Sequence, residues 1–225
     1  MPGAWLDVAA PSHRPRKRLP SATSADDVRG MNKLHAILSA LLVSCSPVFA
    51  ERPAEIAKFL AAADAQIGKT LTYDPAYTSL EYPGGDVPLE RGVCSDVAIR
   101  AFRGAGFDLQ KEVHEDMQRA FSLYPKNWGL RRPDANIDHR RVLNLMTFFK
   151  RRGKNLPVTK DPADYHPGDL VTCIVPKNLP HLMIVSNQIS PLDPARRLVI
   201  HNIGQGARAE DRLFEFALTG HYRWW

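Results

Sequence analysis

Cysteine is scarce in this sequence, since its 225 residues contain only Cys45, Cys94 and Cys173. The candidate zinc ligands Cys94, His181 and His201 lack the close paired spacing of the usual zinc motifs. Long apolar runs are also missing, because the run from Ala36 to Val43 is too short to cross a bilayer as a permanent helix. The sequence therefore argues against a zinc finger and against an integral membrane protein.

A phosphate-binding loop is also missing. The Gly68-Lys69-Thr70 triplet has part of that motif, but Ala63 stands where its first glycine is needed and the triplet follows a predicted helix. We therefore expect no nucleotide and, more generally, no cofactor.

The first fifty residues differ in composition from the rest. Residues 1–30 are rich in Pro, Ser, Ala and Arg without apolar periodicity, which predicts a disordered segment or a mis-assigned start upstream of Met31. Residues 31–50 have a positive start, an apolar run and a small-residue site ending at Ala50, as in a secretory signal peptide. We expect a periplasmic protein with one domain over 51–225. Leu42-Val43-Ser44-Cys45 also resembles a lipoprotein box, so membrane anchoring through an acylated Cys45 stays open.

The charge of the chain is mildly positive. It has 30 basic and 24 acidic residues, a net charge of +6, and without residues 1–50 it keeps 24 and 21, a net charge of +3. Such a surface suits an anionic partner and does not require nucleic acid. We expect no nucleic-acid partner.

Periodicity predicts helices first and strands afterwards. The predicted helices are Pro53 to Ile67, Cys94 to Gly104, Leu109 to Phe121 and Asp138 to Arg152. The predicted strands are Asp169 to Val175, His181 to Ser186, Arg197 to Ile203, Arg212 to Ala217 and His221 to Trp225. This order indicates an α+β fold with helices packed on an antiparallel sheet.

The predicted surface of these helices is charged. On the second helix, Arg100 points outward and pairs with Asp96, four residues earlier. His114 lies off the apolar face of the third helix and is expected at the surface. Arg140 and Arg141 are expected to add to a local positive surface.

Cys94 is the candidate nucleophile, because it lies at the start of a predicted amphipathic helix. The first N–H groups of a helix lack backbone partners and stabilise a thiolate over a thiol. In an oxidising compartment the alternative is a disulfide with Cys173. Cys173, within a predicted strand, is otherwise expected as a small buried apolar residue.

His181 and His201 are the candidate proton acceptors, each at one end of an apolar run. A single histidine on a strand is a weak signal, but two histidines on neighbouring strands together with Cys94 favour catalysis. A zinc site built from Cys94, His181 and His201 stays open as an alternative.

Five short motifs resemble the NlpC-type cell-wall hydrolases of the papain-like cysteine peptidase clan. They are Tyr82-Pro83-Gly84-Gly85, Val93-Cys94-Ser95, Pro167-Gly168-Asp169-Leu170-Val171, His181-Leu182-Met183-Ile184-Val185 and Ile200-His201-Asn202. The Gly-Val-Cys and Ile-Asp-His-Arg-Arg signatures are similar to those of an uncharacterised family of exported bacterial proteins. Hydrolases of this type usually have glycine where this sequence has Asp96, whose carboxylate opposes thiolate formation.

The resemblance implies a cysteine amidase or peptidase with a papain-like fold. Cys94 would attack an amide carbonyl, His181 would take and return the proton, and His201 would orient His181. Tyr73 or Tyr77 would stabilise the oxyanion together with the Cys94 N–H.

Ser95 and Asp96, beside the thiol, are also assigned to the substrate-contacting group. The expected substrate is the peptide part of peptidoglycan. A catalytically inactive module that binds wall peptides is the other alternative.

Overall fold

Four α-helices precede the main sheet in residues 48–225, the part of the chain that the structure, a computed structural model, describes. They are α1 Val48–Asp64, α2 Cys94–Gly104, α3 Leu109–Ala120 and α4 Val142–Arg151. Each helix buries one apolar side, as the 3.6-residue period requires. The buried side chains include Phe59, Leu60, Phe102, Val113, Met117, Leu145 and Phe149.

Several predictions concern residues outside this part. The disordered segment 1–30, the apolar run of the predicted signal peptide and the lipidation candidate Cys45 all lie outside the described residues. Within residues 48–225, none of the helices combines the length and the apolar composition needed to span a bilayer.

Two of the predicted helices have different bounds in the structure. α1 begins at Val48, before Pro53, and ends at Asp64, so that Ile67 falls in a turn and is 38% exposed. The predicted helix from Asp138 is divided, because Arg141 has extended backbone between a single 3-10 turn and α4.

Six antiparallel strands form the main sheet, in the spatial order β3-β8-β4-β5-β6-β7. Their bounds are β3 Asn155–Leu156, β4 Leu170–Val175, β5 Leu179–Ile189, β6 Arg197–Asn202, β7 Ala207–Glu210 and β8 Ala217–Tyr222. A separate parallel pair, β1 Thr72–Tyr73 and β2 Arg91–Gly92, lies just before α2. The α+β prediction is confirmed.

The predicted strand Arg212 to Ala217 is wrong. Most of that segment forms turns, with hydrogen bonds from Arg212 N to Glu210 O and from Glu215 N to Arg212 O. Its apolar side chains do not alternate across a sheet, because Leu213 and Phe214 pack beneath the sheet instead. The last strand, β8, also ends earlier than predicted, at Tyr222.

The main sheet separates two apolar cores, and alternation along each strand assigns its side chains to one or the other. On the helix face, Leu182, Ile184 and Ile200 pack with α1, α2 and α4. On the far face, Cys173, Met183, Val185 and Val199 pack with Tyr165 and Leu213. The two predicted histidines lie on neighbouring strands, His181 on β5 and His201 on β6.

Candidate active site

Cys94 is the first residue of α2, as predicted. The Asp96 carboxylate accepts a 2.7 Å hydrogen bond from the N–H of Val93, which satisfies one free donor at the helix start. Gly92 permits this approach, since an added Cβ there would lie 3.0 Å from the Cβ and Oδ2 atoms of Asp96. The Gly-Val-Cys sequence thus fixes the start of the helix and the position of the thiol.

The Cys94 thiol is protonated at neutral pH, contrary to the sequence expectation. Burial raises its pKa to about 11, the N–H of Leu182 opposes that shift, and the Asp96 carboxylate adds to it. Cys94 is only 4% exposed, so loss of hydration outweighs the stabilisation from the helix start. The expected effect of Asp96 on thiolate formation is confirmed.

His181, His201 and Glu210 form a hydrogen-bonded chain, which we call the imidazole relay. Nε2 of His181 lies 2.8 Å from Nδ1 of His201, and Nε2 of His201 lies 3.0 Å from Oε2 of Glu210. A carboxylate only accepts hydrogen bonds, so His201 donates from Nε2 and its Nδ1 accepts from Nε2 of His181. The relay therefore leaves Nδ1 of His181 as an unprotonated nitrogen.

Both imidazoles of the relay are neutral at neutral pH. Burial lowers the pKa of His181 to about 3, and the neighbouring His201 and the charge of Arg212 act in the same direction. Burial also lowers the pKa of His201, although the hydrogen bond that His201 donates to Glu210 opposes that shift. Neutral imidazole with a free Nδ1 is the form that accepts a proton.

The thiol and the relay approach β5 from opposite faces. Cys94 packs on the helix face, whereas alternation along β5 and β6 directs His181 and His201 to the far face. Within residues 48–225, no hydrogen bond joins the Cys94 sulfur to either imidazole. The link between them is the backbone N–H of Leu182, the residue after His181, which lowers the pKa of the Cys94 thiol.

The ladder between β5 and β6 ends beside this link. The ladder pairs Val185 with Val199 and Ile184 with Ile200, and in the described chain it does not continue to Leu182. On β6, the side-chain amide of Asn202 turns away from the ladder and donates to the carbonyls of Gly92, at 2.9 Å, and Thr72, at 3.2 Å. Asn202 thereby holds the backbone before Cys94 against the strand that carries His201.

Arg140 and Asp96 form a buried ion pair behind the thiol. Nε and Nη2 of Arg140 each lie 2.9 Å from an oxygen of Asp96, and the two side chains are 2% and 3% exposed. Ser95 is also buried, and its hydroxyl donates to the Arg140 carbonyl at 2.6 Å. The side chains of Ser95 and Asp96, predicted as substrate contacts, are thus occupied within the protein.

The Cys94 cleft is an open pocket of about 370 Å³ in front of the thiol. Its walls combine aromatic, apolar and cationic side chains, namely Tyr73, Pro75, Tyr77, Val93, Cys94, Trp128, Ile137, Arg140, Arg141, Val142, Leu143 and Pro180. Both predicted oxyanion tyrosines are in this wall. Burial raises the pKa of Tyr73 to about 12, while the Tyr77 hydroxyl donates to Asp134 at 3.0 Å. The Tyr73 hydroxyl makes no hydrogen bond among the described residues, so it can act as a donor in the cleft.

Comparison with known proteins identifies the family. The family model described as "Domain of unknown function (DUF1287)" matches residues 60–224. The chain belongs to the DUF1287 family. A similar relative is "Uncharacterized protein YijF" of Escherichia coli (strain K12), with 56% identity over 159 residues, which are 71% of this chain and 77% of that protein. The DUF1287 match includes Cys94 and all three members of the imidazole relay.

Three residues of this DUF1287 site were missed as site residues in the sequence. Arg140 was expected at the surface but is buried against Asp96, so the predicted pair of Asp96 with Arg100 is wrong. Arg100 is also buried and binds Asp86 at 2.9 Å. Glu210 lay near a wrongly placed strand, and Asn202 had no assigned role. The Ile-Asp-His-Arg-Arg signature was the one available signal for Arg140.

Other cysteine and histidine predictions have clear outcomes. Cys94 and Cys173 are both free thiols, and Cys173 is buried in the far core as a small apolar residue. Among the described residues, no group of three or more His, Cys, Asp or Glu side chains has the geometry to hold a metal ion. His114 was predicted at the surface, but it is largely buried and bonds to the buried Asp138 at 3.0 Å.

Proposed function

We propose that this DUF1287 protein is an exported cysteine hydrolase that cleaves an amide bond in peptidoglycan peptides. The observation that carries the proposal is the directed imidazole relay, which leaves Nδ1 of His181 unprotonated. The next residue, Leu182, directs its backbone N–H toward the Cys94 sulfur. Cysteine hydrolases need a nucleophile, a base and a group that orients the base. Cys94, His181 and His201 have the chemistry for these three roles.

The proposed reaction begins when Cys94 Sγ attacks the amide carbonyl carbon and its proton moves to Nδ1 of His181. The resulting imidazolium is stabilised through His201 by Glu210. His181 then protonates the leaving amine, which gives a thioester and a free amine. Water attacks the thioester, His181 takes its proton, and the thiol leaves with that proton to regenerate Cys94 beside a free carboxylic acid.

The geometry sets one requirement for this reaction. Because Sγ and His181 do not hydrogen-bond in the described structure, the reaction needs them to approach each other beside Leu182 when substrate binds. Catalytic hydrogen bonds often tighten only in the complex with substrate.

The Cys94 N–H and the Tyr73 hydroxyl are the proposed oxyanion donors, each worth about 2.7–4 kcal/mol of transition-state stabilisation in comparable sites.

The substrate class follows from the proposed location and from the resemblance to NlpC-type hydrolases. The predicted signal peptide at residues 31–50 would deliver the domain to the periplasm, where peptidoglycan peptides supply amides and carboxylates. Anchoring through Cys45 would keep the same chemistry at the membrane surface. The papain-like fold is part of this proposal, supported by the order of the cysteine, the strands and the two histidines.

Digestion of purified peptidoglycan, with fragment masses as the readout, tests the proposed function. We expect new termini with the wild-type chain and with Cys173→Ala, a matched control that removes the other buried thiol of the domain. We expect none with Cys94→Ala. Equal release by both variants, or no release by the wild type, would refute the hydrolase proposal.

A wall-peptide binding module without catalysis is a second candidate, favoured by the Cys94 pKa of about 11. At pH 7 such a thiol is ionised in about one molecule in ten thousand. Alkylation by iodoacetamide, followed at the Cys94 peptide by mass, separates the candidates. In a hydrolase the His181→Ala variant slows alkylation, because His181 takes the proton. In a pure binding module the rate rises tenfold per pH unit up to about pH 11 and is the same in His181→Ala.

A further inference from the structure

Arg141 is a cation in the Cys94 cleft without a hydrogen-bond partner in the described structure. Its Nη1 atom is buried with no acceptor within residues 48–225. Its guanidinium carbon lies 4.1 Å from the centroid of the Trp128 ring, which also lines the cleft. A buried donor without a partner is rare in proteins and costs stability unless something binds it.

The stacking on Trp128 determines how Arg141 can bind. One face of the planar guanidinium is covered by the indole, so the N–H groups at its edge are the donors left for a ligand. That edge matches the two oxygens of a carboxylate in a bidentate pair. Lysine would supply the charge in this place but neither the fork nor the stacking.

The electrostatics of the cleft also favour an anion. Arg140, which also lines the cleft, is neutralised by the bidentate pair with Asp96, and within residues 48–225 the side chains that line the cleft include no carboxylate. Asp138 and Asp134 act on Arg141 through their charges, but neither carboxylate hydrogen-bonds to it in the described structure. One oxygen of Asp138 accepts from the Asp134 N–H, its other oxygen has no partner among residues 48–225, and Asp134 accepts from Tyr77. The positive charge of Arg141 is therefore not paired inside the cleft.

We propose that Arg141, held on Trp128, is a carboxylate-binding subsite beside Cys94. The preferred ligand is then a peptide with a free carboxylate close to the amide carbonyl that faces the thiol. This inference deepens the proposed function and relies on it for the identity of the cleft as the substrate site. It adds a specificity rule, because a peptide with its carboxylates amidated would bind poorly.

Binding to the full-length Cys94→Ala variant tests the subsite without catalysis. The probes are L-alanyl-γ-D-glutamyl-L-lysine with both carboxylates free and the same peptide with both converted to carboxamides. We expect calorimetry to give about tenfold tighter binding of the free acid. In Cys94→Ala with Arg141→Met the ratio should fall below about twofold, and Arg141→Lys should give an intermediate value.

The matched control is Arg132→Met in the same background, which removes an exposed charge outside the cleft wall. This variant should keep the tenfold ratio. Equal affinity for both probes, no measurable binding of either, or an unchanged ratio in Arg141→Met would overturn the subsite. Because these measurements use a variant that lacks the thiol, selective binding without peptidoglycan digestion by the wild type would refute only the hydrolase proposal.

Discussion

Replacing Glu210 by alanine should disturb the imidazole relay while leaving Cys94 and His181 in place. The Glu210 carboxylate accepts from Nε2 of His201 at 3.0 Å, and this bond sets the proton positions of both imidazoles. Without it, His201 can carry its proton on Nδ1 and donate to Nε2 of His181. The proton of His181 would then lie on Nδ1, the nitrogen needed as the base.

The size of this effect can be worked from the burial of the pair. A hydrogen bond to a charged group contributes about 1.5–3 kcal/mol, but the Glu210 side chain is 25% exposed, so about 1–2 kcal/mol is the better figure. A bias of about 1–2 kcal/mol corresponds to roughly 5- to 30-fold in the tautomer equilibrium. We expect the rate of peptidoglycan cleavage to fall by the same factor in Glu210→Ala.

Nitrogen-15 NMR of the two imidazoles, together with the cleavage rate, measures this prediction. The wild type should have both His181 and His201 protonated on Nε2, and Glu210→Ala should have a mixture. Glu215→Ala is the matched control, because it removes the same charge near His201, while the Glu215 side chain binds Arg212 rather than an imidazole. If Glu210→Ala keeps the wild-type tautomers, or if Glu215→Ala causes an equal change, the reasoning is refuted.

Two further predictions concern stability. His181 and His139 are buried with pKa values of about 3, against 6.5 ordinarily, so the unfolded chain binds protons first as the pH falls. The free energy of unfolding should therefore drop between about pH 6.5 and pH 3, by up to about 1.4 kcal/mol per pKa unit for each group. His139→Gln should reduce the slope of this free energy against pH, as measured by urea titrations at several pH values. An unchanged slope would contradict this. Arg140→Met leaves the Asp96 carboxylate buried without its partner and should lower the free energy of unfolding by about 3–5 kcal/mol. Adding Asp96→Asn should recover part of that loss. If the effects of the two substitutions are strictly additive, the pairing is contradicted.

Patterns with a short period were sufficient to predict most of the secondary structure. The start of α2 at Cys94 follows from an apolar stripe of 3.6-residue period, and β4, β5 and β6 follow from β-branched runs. The segment after Glu210 was mispredicted because Leu213 and Phe214 resemble strand residues locally, yet they are buried by packing under the sheet. Local pattern does not distinguish these two ways of burying an apolar side chain.

The polar part of the site was harder to predict, because it depends on contacts between distant parts of the chain. Asp96 has a cation four residues away in Arg100, and the helix rule favours that pair. The actual partner, Arg140, is 44 residues away and is chosen because α2 buries Asp96 against the turn before α4. The state of the Cys94 thiol likewise depends on how deeply it is buried, which a helix start alone does not determine.

Asn202 has a consequence for how the domain acquires its activity during folding. Its amide group reaches Gly92 across 110 residues of sequence, so the loop that presents Cys94 is anchored by one of the later strands. A contact of such long range forms late, because closing a long loop costs entropy before any contact offsets it. A chain that has folded its helices but not yet added β6 would have the thiol at the start of α2 with the preceding loop unanchored, and the assembled cleft would arise only when the sheet is nearly complete.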